Sequence, residues 1–130
     1  MSGEIKNSIR KLCADLGLPP GDQFTQDWVY ELPEQFRTYD FFCNYVRAYQ
    51  RSGYGDVDKR LLAELMLDIV NDLVAAGDPR VKTAWNSLRE ILVANKDLHR
   101  DQIEYWALRG EPLEDAFQLS PLARQLLDEM

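Results

Sequence analysis

Three carboxylates, Glu64, Asp68 and Asp72, stand four residues apart within the apolar stretch DKRLLAELMLDIVNDLVAA, residues 58–76. On a helix that spacing stacks like charges along one face, at a cost of about 0.2–0.5 kcal/mol per pair. Three kinds of chemistry suit such a stripe. Cations within the fold, Lys59, Arg60 or arginines of adjacent helices, can neutralise it; a basic partner can supply the counter-charge; or Glu64 and Asp68 can form a carboxylate site with residues across the bundle. The last needs one carboxyl with a strongly raised pKa in a closed pocket. The spacing predicts recognition, with Glu64, Asp68 and Asp72 facing a partner.

The other reactive side chains are sparse. His99, in NKDLHRDQ, is the only histidine, and no serine or cysteine near it in sequence sits in a glycine-rich elbow that would present a nucleophile. Its place in the first turn of a helix predicts a surface or capping role. Cys13 and Cys43 are far apart and each falls on an apolar helix face, which predicts reduced core thiols in a reducing compartment. One histidine and two scattered cysteines are too few for a zinc or di-iron site, and the pair Asp56 and Asp58 beside Gly55 lacks the register of a calcium loop. Nor is there a GxGxxG or GxxxxGK[ST] phosphate cradle. No catalytic residue, metal or cofactor is expected.

Helical periodicity dominates the elements that would hold these residues. Ser2 can cap a first helix to about Leu16, with Ile5, Ile9, Leu12, Cys13 and Leu16 inward and Gly17 as its stop. LPPGDQ, residues 18–23, breaks the chain, and Phe24, Trp28, Val29 and Tyr30 then form a helical turn or irregular connection that anchors to the core. A second helix starts at Pro33 and runs to about Arg51; a third, capped by Asp56 or Asp58, closes at Gly77. Asp78 and Pro79 open a fourth helix almost at once, so helices three and four form a tight antiparallel hairpin. A fifth, capped by Asp97, turns Leu98, Ile103, Trp106 and Tyr105 inward and ends at Gly110; a last one begins at Ser120 and Pro121. The expected fold is all-α, a compact bundle-like or orthogonal packing of five to six helices in a single domain, residues 1–130.

Composition narrows function further. Asp and Glu number 22 against 15 Lys and Arg, a net charge of −7 that repels phosphate backbones and speeds encounter with a basic protein. Nucleic acid is therefore not expected as a partner. No apolar run has the length of a signal peptide or a membrane span, so the expected place is the cytoplasm, away from any membrane. On the second helix Phe36, Tyr39, Phe42, Cys43, Val46 and Tyr49 already supply a core face, while Phe41 and Tyr45 widen the apolar arc past half the cylinder. Phe41, Tyr45 and Tyr49 thus join the acidic stripe as expected partner-binding residues.

In size, charge and helix content the chain resembles the small acidic immunity and antitoxin proteins with which bacteria neutralise cationic nuclease toxins. The resemblance implies a non-catalytic inhibitor of a basic protein. A second class is a structural or oligomerising adaptor, a homodimer formed through the aromatic face of the second helix.

Overall fold

The computed structural model describes residues 3–22 and 24–130. Ser2, the expected cap of the first helix, lies outside them. Among the described residues seven α-helices follow one another: α1 Gly3–Leu16, α2 Trp28–Glu31, α3 Tyr39–Tyr49, α4 Asp56–Ala75, α5 Val81–Ala94, α6 Lys96–Ala107 and α7 Ser120–Glu129. Among the described residues there is no strand. The all-α expectation holds, with one helix more than foreseen because residues 28–31 close a helical turn.

α4 is the axis of the packing. Leu62, Ala63, Leu65, Met66, Leu67, Ile69 and Val70 are all essentially inaccessible, so apolar side chains cover most of its circumference. It contacts α1, α2, α3, α5 and α6, and buried side chains from all seven helices join in one hydrophobic cluster. α5 packs on α4 through Ala84, Trp85, Leu88, Ile91 and Leu92.

Helix ends follow local chemistry. Gly17 takes φ +69°, and its N–H and that of Leu18 donate to the Cys13 carbonyl at 2.9 and 3.1 Å, closing α1. Pro33 does not begin the helix that carries the aromatic face. Residues Glu34–Phe36 form one 3-10 turn, and Thr38 starts α3 by accepting the Phe41 N–H at 3.2 Å. The break leaves Arg37 outside regular helix. At α4 the cap is Gly55, and Asp58 reaches back to accept its N–H at 3.0 Å.

α6 stops before Gly110. Leu108 adopts φ +46°, a left-handed conformation that strains a branched residue, and α7 supports it. Arg124 donates to the carbonyls of Ala107, Leu108 and Glu111 at 2.7, 2.6 and 2.7 Å, while Ser120 Oγ donates to the Trp106 carbonyl at 2.7 Å. A side chain from α7 thus caps carbonyls that glycine was expected to release.

Candidate functional site

The acidic stripe does not face solvent as one surface. Asp68 is 5 % exposed, Glu64 half-buried and only Asp72 open. Arg37, freed by the break before α3, is the counter-charge: one Nη donates to Val29 O at 2.9 Å and the other contacts Asp68 and lies 3.3 Å from Asp72. Burial pushes the Asp68 carboxyl up, and Arg37 pulls it back only in part. A guanidinium stays charged at any ordinary pH, so the pair is a buried ion pair that ties the link before α3 to α4. This corrects the expectation that Asp68 meets a partner. Arg60 forms no ion pair with the stripe, since it makes a two-pronged bond to Asp101 at 2.7 and 2.8 Å and donates to Leu98 O; its charge acts on Glu64 only through space.

Glu64 has a neutral neighbour instead. Gln102 Nε2 on α6 donates to Glu64 Oε1 at 3.1 Å and to the Arg60 carbonyl at 2.9 Å. A carbonyl only accepts, so the amide's NH2 must point this way and its oxygen the other. That oxygen meets His99 Nδ1 at 2.7 Å, which places the proton on Nδ1. His99 Nε2 is then the acceptor for the Tyr49 hydroxyl at 2.6 Å. Donors run in one direction from Tyr49 through His99 and Gln102 to the Glu64 carboxylate.

His99 is wholly buried, which corrects the surface or capping role expected of it. Burial lowers its pKa, so the ring is held neutral. The spacing of His99, Ile103 and Trp106 by four and three residues puts it on the inner face, a signal present in the sequence. Burial also pushes the Glu64 carboxyl up, with Gln102 favouring its ionised form. Trp106 Nε1 is buried with no hydrogen-bond partner among the described residues.

The aromatic residues of α3 fill the interior. Tyr45 is inaccessible and donates to Phe36 O at 2.7 Å; Tyr49 is 5 % exposed and its hydroxyl, used by His99, is raised to about 12 by burial. Phe41 is half-buried, its ring edge-on to Phe36 at 5.3 Å. Tyr45 and Tyr49 are therefore core residues rather than exposed anchors, because the 28–37 link and α6 close over α3. Trp28 and Val29 of that link are buried as expected, with Trp28 Nε1 donating to Pro19 O at 2.8 Å, but Phe24 is 76 % exposed.

The free aromatic surface lies elsewhere. Tyr30 and Tyr105 are about half exposed, Leu113 likewise, and Tyr105 packs on Phe117 at 5.5 Å. Burial, Glu64 and the neighbouring Tyr105 phenol all push the Tyr30 hydroxyl up. Residues 12–36, which hold Tyr30, carry Asp15, Asp22, Asp27, Glu31 and Glu34 with no Lys or Arg, and residues 110–123, whose Phe117 packs on Tyr105, carry Glu111, Glu114 and Asp115 with none; α6, which delivers Tyr105 itself, carries Lys96 and Arg100. Periodicity does not show this patch, since it turns Tyr105 inward and the approach of two helices distant in sequence leaves no spacing to read.

No protein-family model, no curated protein and no solved structure matches the chain. Among the described residues no helix is long and apolar enough to cross a membrane, and no three His, Cys, Asp or Glu side chains gather as metal ligands. Cys13 and Cys43 are free thiols, the former raised to about 11 by burial.

Proposed function

We propose that the chain is a non-catalytic protein-binding module, an acidic inhibitor of the immunity or antitoxin kind, acting in the cytoplasm on a basic protein. The observation that carries this reading is the pair of half-exposed rings Tyr30 and Tyr105 beside two acidic segments, residues 12–36 and 110–123, that hold no Lys or Arg. Carboxylates steer a positively charged partner and aromatic side chains hold it once docked. In this reading α4 and α5 form the tight antiparallel hairpin at the back of a bundle-like packing. The partner-facing residues become Tyr30, Tyr105 and Leu113 with Asp72, Glu31, Glu114 and Asp115, in place of Asp68, Tyr45 and Tyr49.

The test is capture from the native cytoplasm by the wild-type chain and by Tyr105→Ala. A basic protein retained at low salt, released near 0.3 M salt and lost from the variant supports the reading; capture that ignores salt and Tyr105→Ala alike refutes it. The adaptor reading keeps a place through the same exposed rings, because the α3 face is filled. A concentration-independent dimer by light scattering, dispersed by Tyr105→Ala, would favour it. The carboxylate-enzyme reading asks for a strongly raised carboxyl in a closed pocket; burial pushes Glu64 up, but that carboxyl borders an open cleft.

A further inference from the structure

Glu64 has a second side. Between α1, α4 and α6 lies a cleft of about 330 Å³ lined by Ile5, Val57 and Leu61 and by Glu4, Arg60, Glu64 and Gln102. The guanidinium of Arg60 is bonded to Asp101 and to Leu98 O and makes no ion pair with Glu64, on which its charge acts only through space. Gln102 occupies one of the roughly four acceptor positions of the Glu64 carboxylate. No cation contacts that carboxylate within the described residues. Two larger hollows, of about 500 and 430 Å³, differ in kind, because each has its own lysines, Lys59 and Lys96 in one and Lys11 in the other.

We infer that this cleft receives an alkylammonium group, a lysine side chain of the basic partner, with its methylenes on Val57, Leu61 and Ile5 and its ammonium on Glu64. Three features point to that occupant. The walls are aliphatic, as a four-carbon stem requires; the terminal group is a carboxylate with open acceptor sites; and the chain of donors from Tyr49 to Gln102 fixes that carboxylate in place before the ligand arrives. The inference rests on the proposed basic partner, whose main contact it places at Tyr30 and Tyr105.

The probe is Nα-acetyl-lysine N-methylamide, titrated into the 15N-labelled chain, with the norleucine analogue as the uncharged control of nearly the same length. The expected result is saturable shifts of the Val57, Leu61, Glu64 and Gln102 signals with the lysine probe alone, weakened about tenfold or more in Glu64→Gln. Glu64→Asp, which keeps the charge and withdraws it by one methylene, should bind between the two. Equal shifts with norleucine, unchanged binding to Glu64→Gln, or no saturable shift overturns the inference. The probe carries no partner surface, so such a failure leaves the Tyr105→Ala capture experiment to judge the larger reading.

Discussion

Glu64 and Asp68 lie one turn apart on the same helix, yet they have become different devices. Asp68 is closed off with Arg37 in an ion pair that also takes in Val29 O and Asp72. Glu64 faces an amide, backed by a neutral imidazole and a phenol, and keeps open acceptor sites beside a cleft. Spacing made them look equivalent. What separates them is whether the facing element brings a permanent cation or a neutral donor, since a paired carboxylate is spent on structure while a hydrogen-bonded one retains charge to offer.

The largest expected effect breaks the ionic side. Arg37→Met leaves Asp68 buried without a counter-charge and should cost about 3–5 kcal/mol in urea unfolding. Adding Asp68→Asn should recover part of that loss, and a single-variant cost below about 1 kcal/mol would show that the pair is not buried as described. On the neutral side, His99→Ala opens a cavity and strands the Tyr49 hydroxyl and the Gln102 oxygen, for an expected loss of about 2–4 kcal/mol.

Acidification sharpens the same contrast. Because the folded state depresses the His99 pKa below its ordinary 6.5, the unfolded chain takes up that proton first. Its contribution is complete above pH 6.5 and is lost as pH falls through that value towards the folded one. Urea midpoints measured from pH 7.5 to 5.5 should therefore fall for the wild type more than for His99→Gln, and parallel curves would contradict a neutral buried ring. Glu64 has the opposite sign. Its folded pKa is raised, so the charged form at neutral pH costs stability that protonation restores as pH drops towards the ordinary 4.5. Glu64→Gln should then be neutral or stabilising at pH 7, by at most about 1 kcal/mol; a loss larger than that would mean the carboxylate holds the fold as Asp68 does. The smallest stability effect belongs to Tyr105→Ala, within about 0.5 kcal/mol by thermal melting, because its ring is half exposed.

Much of this architecture is legible along the chain. Leu62, Leu65, Met66, Ile69, Val70 and Leu73 mark α4 as a helix with little polar surface, and all six are buried. The Gly17 and Gly77 stops stand where left-handed backbone ends α1 and α4, at φ +69° and +66°. The departures have different causes. Thr38 rather than Pro33 starts α3, through a local cap; Arg124 of α7 brings the stop expected at Gly110 forward to Leu108; and the spacing of His99 from Ile103 and Trp106 places it inside. Only at Gly110 does a side chain from outside the local stretch decide, and local propensity is a weak guide against such a tertiary partner.

The residue order by itself determined the helical class, the position of the central helix and the surplus of negative charge, because those follow from periodicity and composition. Only the tertiary structure decided which carboxylate would be answered. Arg37 lies 31 residues before Asp68 and Gln102 lies 38 after Glu64, so neither pairing has a spacing to read. A charge on a helix face is defined by what packs across from it, and that is fixed only when distant helices meet.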